Sequence, residues 1–333
     1  MNIEFSPEES KRHSLRIYRN ISENIEKDLI DDIIKEKADL IIVRIPAEKN
    51  LRTIDKLNEM GLPYHYADTL LQYVVNLNGY SPKSIENSGL EFIECRKAHV
   101  DVLKSLIYEV FKSYNYNHYV SNIYIKQNNV TDGYVDWISS FVDSDNKSVW
   151  LVKDGSNYVA FASCSFEKEK SIGVLYGVSP HASGKHIYAD LIRYTQLISQ
   201  SKNIDWMQVG TQAQNYAVQR TWSKEGFTLR ESLITYHVNS FLSSCTFEEK
   251  LLMDNMTIDT PVNLVRKYLN VDHDVKIKSN IRIVDLATQT NEKVKSVTVK
   301  INALNSIGRA LVSVLLYDRF NKPNRLIYHD VFF

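Results

Sequence analysis

The sequence has few cysteines, no excess of either charge and no long apolar run. Its three cysteines, Cys95, Cys164 and Cys245, lie far apart and form no CxxC pair. This spacing favours reduced thiols over a disulfide framework. No apolar run approaches the ~18 residues that a membrane-spanning helix needs, and the first ten residues contain no apolar signal core. We therefore expect a cytoplasmic protein.

The charges balance, because lysine plus arginine and aspartate plus glutamate each total 40 in 333 residues. A dedicated nucleic-acid-binding protein usually has a basic excess, so the balance argues against that class. It still allows a local basic pocket for one phosphorylated ligand. Hydrophobic residues make up 44 % of the chain, which is enough for packed cores. At ~150 residues per domain, the length predicts two or three domains.

Two segments carry most of the functional information. Residues 209–227 are predicted to form a strand, a turn that carries Asn215, a short helix and a Gly-Phe start to another strand. Upstream, residues 176–191 predict a second strand, a loop and the start of a helix. In this order the two segments resemble the acyl-CoA-binding half of the GNAT N-acyltransferase superfamily. The resemblance implies coenzyme A as cofactor and acyl transfer to an amine.

The loop at residues 183–188 is the predicted pyrophosphate site. A loop that leads into a helix N-terminus presents backbone N–H donors, and the helix dipole adds attraction for an anion. Gly184 matches the superfamily's Gln/Arg-Gly-x-Gly-x-Gly/Ala pattern, and Lys185 adds a positive charge. The alternative is a plain strand-to-helix turn, since the other positions depart from the pattern. The predicted cofactor-binding residues are Val178, Ser183, Gly184, Lys185, His186, Ile187, Tyr188 and Asn215.

The resemblance also implies that the strand before this loop parts from its neighbour and receives the pantetheine arm. A backbone N–H of Tyr176, Gly177 or Val178 would then polarise the thioester carbonyl. Gly177 is the residue type that a β-bulge would require in an apolar strand. The alternative is a glycine without any role in ligand binding.

The second segment implies a contact of Asn215 with the pantetheine arm. The superfamily usually has tyrosine seven residues later, where this sequence has Trp222. An indole N–H donates a hydrogen bond but does not practically transfer its proton. The leaving thiolate would therefore be hydrogen-bonded, or protonated by water, Tyr216 or Ser223. Trp222 as pure core packing is the alternative, and the predicted catalytic residues are Tyr176, Gly177 and Trp222.

The acceptor site is expected in the loop and helix that follow the first helix of this domain. Aromatic faces and amide groups there suit a nucleobase and sugar hydroxyls, and a solvated loop is the alternative. The predicted substrate-binding residues are Tyr114, Tyr116, Asn117, His118, Tyr119, Tyr134, Trp137 and Thr211. The general base stays open among His118, Asp136, Glu109 and Glu167.

Residues 1–241 resemble bacterial sugar-nucleotide N-acyltransferases of the TDP-fucosamine acetyltransferase kind. The shared features are a Tyr-x-x-Trp-Ile helix from Tyr134, the Val-Gly-Thr-Gln strand end before Asn215, and Tyr236-His237. The resemblance implies a dTDP-linked amino-dideoxy sugar as acceptor, an acetyl or hydroxybutyryl donor and O-antigen biosynthesis. The alternatives are a GNAT enzyme that acts on another small-molecule or protein amine, and a coenzyme A-binding pseudoenzyme. No metal, nucleic acid or membrane partner is predicted.

The predicted fold class is α+β, with three domains. Residues 88–241 are predicted to form a GNAT domain with the order β-α-α-β-β-β-α-β-α-β. Residues 1–80 are predicted to be a degenerate α/β copy of the GNAT second half, and the alternative is chance similarity of two strand-helix-strand units. Residues 250–333 predict a helix with long strands, a β-rich and hotdog-like module that suggests a homo-oligomer. Residues 78–88 are the predicted linker.

Overall fold

The fold is α+β, as predicted. The computed structural model describes residues 3–22, 24–25, 28–125, 130–252, 260–269, 276–279, 294–304, 309–318 and 323–332. The chain divides into two compact units, one of Met1–Tyr66 with Thr235–Phe333 and the other of Ala67–Ile234. The three-domain division remains a prediction.

Eight α-helices occur in the described residues: α1 Pro7–His13, α2 Leu29–Glu36, α3 Asn50–Glu59, α4 Val100–Phe111, α5 Val130–Ser139, α6 Ile187–Ser201, α7 Tyr216–Lys224 and α8 Thr260–Leu269. In these same residues we find no helix with the length and apolar character that a membrane crossing requires. The described strands are β1 Ile3–Phe5, β2 Ile17–Asn20, β3 Leu40–Pro46, β4 Tyr64–Asn76, β5 Leu90–Glu94, β6 Lys147–Asp154, β7 Asn157–Phe166, β8 Lys170–Val178, β9 Trp206–Gln212, β10 Thr228–Asn239, β11 Phe247–Leu252, β12 Lys276–Ser279, β13 Val294–Leu304, β14 Arg309–Asp318 and β15 Pro323–Phe332.

From β5 to β10 the chain follows the predicted order β-α-α-β-β-β-α-β-α-β. In the Ala67–Ile234 unit the strands lie side by side in the order β4-β9-β8-β7-β6-β5. The pairs are antiparallel except β8 with β9, which is parallel. Strand β4 is continuous from Tyr64 to Asn76 and includes Asp68.

Two cores cover the two faces of this sheet because side chains alternate along each strand. On β7, Ala160 and Ala162 join the core cluster that contains Leu191 of α6 and Trp222 of α7. Phe161, between them in sequence, joins the cluster formed by residues of α4 and α5. The alternation places α4 and α5 on one face and α6 and α7 on the other.

The predicted linker is attached to α6 in the structure. The backbone N–H groups of Glu86 and Asn87 donate to the Asp190 carboxylate at 2.9 and 3.1 Å. The hydroxyl of Tyr80 donates to the carbonyl oxygen of Glu225 at 2.9 Å. These bonds hold residues 78–88 beside the start of α6, where the pyrophosphate loop is predicted.

The other unit contains two sheets. β2 pairs antiparallel with β1 and parallel with β3, and the apolar side chains of β3 are completely buried. A five-stranded antiparallel sheet has the order β11-β13-β14-β15-β12, and α8 packs on β13 and β15. In the C-terminal module, the helix and three of the four predicted strands begin and end close to the expected residues. Residues 280–287 of the first predicted strand and the predicted turn at 305–308 lie outside the described residues. The hotdog likeness remains a prediction.

The succession of β3, α3 and β4 repeats that of β9, α7 and β10. Each is a strand, a helix and a strand, which is what the predicted half-repeat requires. The common ancestry of the two segments stays a prediction, because this succession is frequent in α/β structure.

Candidate functional site

Strands β8 and β9 separate partway along their length. Their parallel register begins at Lys170 with Trp206 and ends at Gly173 with Val209, whereas β8 continues to Val178 and β9 to Gln212. The separation coincides with an irregularity in the β7–β8 pairing that leaves Val174 without a register partner. A bulge increases local twist and bends its strand, so it moves the rest of β8 away from β9. The bulge lies at Val174 and not at Gly177, where the sequence predicted it.

Gly177 has a packing role on the α4 face. It pairs in regular register with Phe161. A Cβ atom at this position would lie 2.6 Å from a ring carbon of Phe161 and 3.0 Å from Val110 Cγ1. The missing side chain is therefore required by the close approach of β8 to its neighbours.

In β8, every second N–H group points toward the opening between β8 and β9. The N–H of Ser179 donates to the carbonyl of Val159 at 2.8 Å, which makes these residues a hydrogen-bonded pair with β7. In an antiparallel ladder such pairs alternate with pairs whose peptide groups point away from the partner strand. Gly177 is therefore turned toward β7, whereas the peptide groups of Tyr176 and Val178 face the side from which β9 has parted.

The side chain of Tyr176 is buried on the α6 face. Its hydroxyl donates to Thr195 Oγ1 at 3.0 Å and lies 3.3 Å from Cys164 Sγ. Burial raises the pKa of Tyr176 well above its ordinary value. Of the groups on Tyr176, only the backbone can therefore take part at the opening.

The loop between β8 and α6 contains two residues with left-handed backbone. Gly184 has φ +80° and open space where a Cβ would be, and His186 has φ +62° immediately before α6. This conformation costs a non-glycine residue about 1–2 kcal/mol, so the turn is held against strain at His186. Beyond it the first turn of α6 supplies free N–H groups at the helix N-terminus.

The residues from Ser183 to His186 are exposed, whereas Ile187, the first residue of α6, belongs to the core. Lys185 Nζ lies 3.7 Å from Asp154 Oδ2, and His186 Nδ1 lies 3.2 Å from Glu86 Oε2. Exposed pairs of this kind contribute little to stability, so both side chains can turn toward an anion at the loop.

Asn215 stands at the end of β9. It precedes α7 without a side-chain capping bond, and its Nδ2 donates to Thr211 Oγ1 at 3.0 Å. The structure thus brings together Thr211 and Asn215, two residues that the sequence assigned to substrate and cofactor. Both lie on the part of the chain that has separated from β8.

Trp222 is buried, with 2 % of its surface exposed. Its Nε1 atom has no hydrogen-bond partner among the described groups. The hydroxyl of Tyr188 lies near this indole. Burial raises the pKa of Tyr188, although the neighbouring indole opposes that shift. Tyr216, by contrast, is 67 % exposed. Tyr188 is therefore a buried phenol beside Trp222, and the ring of Tyr73 also packs on the indole with centroids 5.5 Å apart.

The predicted acceptor residues form a tyrosine cluster. The rings of Tyr114 and Tyr116 have centroids 5.1 Å apart, and those of Tyr114 and Tyr134 are 6.1 Å apart. Asn117 Nδ2 donates to the hydroxyl of Tyr134 at 2.8 Å. The hydroxyl of Tyr114 donates to Gln212 Oε1 at 3.0 Å, which connects the cluster to the end of β9.

Burial raises the pKa of Tyr114 to about 12, although hydrogen bonding to Thr211 and Asn215 opposes the shift. Burial likewise raises the pKa of Tyr134. Both phenols are therefore neutral hydrogen-bonding groups at ordinary pH. Tyr114 is the residue that joins the predicted acceptor region to the predicted cofactor residues.

The remaining acceptor candidates make other contacts. The rings of His118 and Tyr119 pack on each other with centroids 4.1 Å apart. Trp137 is exposed, and its ring contacts Phe141. Their assignment to the acceptor stays a prediction.

The candidate bases differ in position. Ser179 donates its hydroxyl to Glu109 Oε1 at 2.6 Å, which places Glu109 at the end of β8. Glu109 also lines a cavity of about 340 Å³ on the outer side of α4. Asp136 and Glu167 are exposed. Through Ser179, Glu109 is therefore attached to the segment that leads from β8 into the predicted cofactor loop.

Asp68 is a buried carboxylate that the sequence analysis did not single out. It lies on β4 with 2 % of its surface exposed, and its Oδ2 accepts a hydrogen bond from Gln212 Nε2 at 3.3 Å. Its Oδ1 is buried and has no hydrogen-bond partner among the described groups. Its charge contributes to the raised pKa values of Tyr114 and Tyr134. An acidic residue inside an otherwise half-apolar strand was the signal available in the sequence.

Neither a protein-family model nor a curated protein matches the sequence, but solved structures are similar. A conserved protein of unknown function from Staphylococcus epidermidis has a TM-score of 0.50 and 10 % identity, over 72 % of this chain and 90 % of that one. A GCN5-related N-acetyltransferase from Sphaerobacter thermophilus has a TM-score of 0.46 and 12 % identity over 60 % of this chain. This chain covers 59 % of the Sphaerobacter protein, less than two thirds of its length.

A tandem GNAT protein from the clavulanic acid biosynthesis pathway has a TM-score of 0.46 and 6 % identity, over 67 % of this chain and 75 % of that one. At these identities the similarity concerns the fold alone. The Staphylococcus alignment, which covers most of both chains, agrees with an α+β fold of the same organisation. What the chain does must be argued from its own site.

Proposed function

We propose that this protein is a coenzyme A-dependent N-acyltransferase. The observation that carries the proposal is the separation of β8 from β9 after Gly173 and Val209. Where two neighbouring strands part, peptide N–H and C=O groups lose their partners and need others. An extended thioester arm with its own amide groups suits such an opening, and an acyl-CoA has that arm.

The parts around the opening suit the rest of the cofactor. The peptide groups of Tyr176 and Val178 would bind the arm and the thioester carbonyl. The loop from Ser183 to His186 and the N-terminus of α6 would bind the pyrophosphate. Lys185 adds a positive charge there, and Asn215 would contact the arm from the β9 side.

In the proposed reaction the neutral amine attacks the thioester carbon, so that a C–N bond forms and the C–S bond breaks. A backbone N–H at the opening stabilises the developing oxyanion. The leaving thiolate, whose pKa lies near 8.5, is a weaker base than the Tyr188 phenolate, because burial raises the pKa of Tyr188. Tyr188 therefore donates a hydrogen bond to the sulfur and keeps its proton. The proton that the sulfur finally takes comes from the attacking nitrogen.

The proposed acceptor is a dTDP-linked amino-dideoxy sugar, and the proposed acyl group is acetyl or hydroxybutyryl. The support is the cluster of Tyr114, Tyr116, Asn117 and Tyr134, whose rings and amide suit a base and a sugar. O-antigen biosynthesis is the corresponding proposed role. This acceptor rests on the sequence resemblance together with that cluster.

Thermal-shift measurements with coenzyme A and with dTDP, separately and together, test the proposal. We expect coenzyme A to raise the melting temperature, since a ligand that binds only the folded state stabilises it. Stabilisation by dTDP as well would support the sugar nucleotide, and coenzyme A alone would leave another amine as acceptor. No stabilisation by coenzyme A would remove the proposed function. Thiol release from acetyl-CoA with dTDP-4-amino-4,6-dideoxygalactose then measures turnover.

A further inference from the structure

The carboxylate of Asp68 is an unexplained charge in the protein interior. Its side chain is 2 % exposed, and one of its two oxygens lacks a hydrogen-bond partner in the part of the chain that the structure describes. Within that part, no lysine, arginine or histidine forms an ion pair with it. Buried carboxylates are normally paired, because desolvation of an isolated one is very unfavourable. One oxygen of Asp68 therefore still has hydrogen-bonding capacity for a cationic or hydrogen-bonding partner.

The neighbours of Asp68 place it at the predicted acceptor region. Gln212 donates to Asp68 through Nε2 and accepts from Tyr114 through Oε1, so one amide connects the carboxylate to the tyrosine cluster. Tyr114 in turn lies close enough to Thr211 and Asn215 for hydrogen bonding to shift its pKa. The carboxylate is therefore close to the end of β9, where β8 has already separated.

The residues around Asp68 indicate which kind of chemical group would bind its free oxygen. Phenol rings and amides attract a cation through ring faces and oxygen atoms, and the free oxygen of Asp68 supplies the countercharge. An anion would be repelled by the carboxylate. An ammonium group satisfies the carboxylate best, since it donates several hydrogen bonds and carries the opposite charge.

We propose that Asp68 binds the ammonium group of the acceptor and accepts the proton that its nitrogen must lose before attack. This inference rests on the proposed function and makes its acceptor a small primary amine that is protonated in solution. The ammonium transfers one proton to the free oxygen of Asp68, and the neutral nitrogen then forms the C–N bond as the C–S bond breaks. The second nitrogen proton goes to the thiolate, and Asp68 returns its own proton to solvent.

The test is Asp68→Asn, which keeps the shape and the acceptor oxygen for Gln212 but removes the charge. Asp145→Asn is the matched control, because Asp145 is an exposed carboxylate outside the candidate site. The probe amine is whichever of dTDP-4-amino-4,6-dideoxygalactose, spermidine and kanamycin gives the fastest thiol release from acetyl-CoA with the unaltered protein.

We expect Asp68→Asn to lower kcat/KM for the amine at least about 100-fold, the usual loss when a general base is removed. The Kd of coenzyme A should change less than about twofold, and the melting temperature should hold or rise because an unpaired buried charge is gone. Asp145→Asn should retain nearly full activity.

A kcat/KM for Asp68→Asn within about threefold of the unaltered protein would overturn the proposal. A drop in melting temperature with a parallel loss of coenzyme A binding would also overturn it, since Asp68 would then only support the structure. Failure of the unaltered protein to bind coenzyme A would instead remove the proposed function. The two failures are therefore distinguishable by the binding measurement.

Discussion

At the scale of single residues, the site depends on where side chains are small and on what the polar ones touch. Gly177 lets β8 approach Phe161 and Val110, and Asn215 is turned back toward Thr211 at the end of β9. Trp222 fills the core where the superfamily pattern has tyrosine, and Tyr188 brings a phenol to its side. Substitutions of Asn215 and Gly177 test two of these contacts.

Asn215→Ala should raise the KM for acetyl-CoA about fivefold, because one hydrogen bond of ~1 kcal/mol to the cofactor arm is lost. The kcat at saturating acetyl-CoA should change little, since the contact is made before and after the chemical step. Lys224→Ala, an exposed change on the same helix, is the control. Steady-state kinetics with varied acetyl-CoA provide the measurement, and an unchanged KM would refute a role for Asn215 in cofactor binding.

Gly177→Ala should lower the free energy of unfolding by about 1–3 kcal/mol, because the new methyl group meets Phe161 at 2.6 Å. Gly89→Ala is the control, since a Cβ at Gly89 meets nothing within 4 Å. Its effect should stay within about 0.5 kcal/mol. Urea unfolding of both variants compares them, and equal effects would contradict the packing role.

At the scale of elements, a network of buried charged residues connects α6 to its neighbours. Arg193 donates to both carboxylate oxygens of Glu225 at 2.8 and 2.9 Å and to Asp190 at 3.1 Å. The Glu225 carboxylate, hydrogen-bonded to the guanidinium, is the main cause that raises the pKa of Arg193 further. Because Glu225 ends α7 and Asp190 receives the 78–88 segment, one arginine connects three parts of the unit.

Arg193→Ala should destabilise the protein by about 3–5 kcal/mol, because Asp190 would remain as a buried carboxylate without its cation and Glu225 would keep only the exposed Lys83 at 3.5 Å. Arg230→Ala, an exposed arginine on β10, is the control and should have a small effect. Chemical unfolding gives the comparison. Should the two variants prove equally stable, the network would not be what holds α6 in place.

At the scale of the whole molecule, the proposed site and a histidine with a lowered pKa lie in different compact units. The opening, the loop and the tyrosine cluster all belong to the Ala67–Ile234 unit. The other unit contains His13 in α1, whose burial, helped by the charge of Arg12 and opposed by Glu9, lowers its pKa from 6.5 to about 4. Ligand binding and acid sensitivity can therefore be measured as properties of separate parts of the chain.

The titration of His13 predicts a loss of stability in mild acid. The unfolded chain takes up a proton at this residue near pH 6.5 and the folded one only near pH 4, so stability falls as the pH drops between those values. His13→Gln should reduce this loss, measured as the melting temperature at pH 7 and pH 4.5. His181→Gln, at a side chain that is 59 % exposed, is the control. An identical pH dependence of both variants would show that His13 is not responsible.

Local pattern determined much of the organisation of this protein. The order of elements from β5 to β10 follows from apolar periodicity and from turn residues, which act over a few neighbours in the chain. The position of Asn215 directly after a strand, and the departure at Trp222, are likewise visible without coordinates. Periodicity also predicted the strands of the C-terminal sheet, since half-buried strands alternate wherever they pair.

Only the tertiary structure decided the geometry of the site. The point where β8 leaves β9, the bulge at Val174 and the direction of the peptide groups of Tyr176 and Val178 depend on register with other strands. Asp68 and Gln212 are 144 residues apart, and their contact exists only because β4 lies beside β9. Burial and pairing depend on residues that are distant in sequence, so no local pattern could have shown that one oxygen of Asp68 is buried without a hydrogen-bond partner in the described part of the chain.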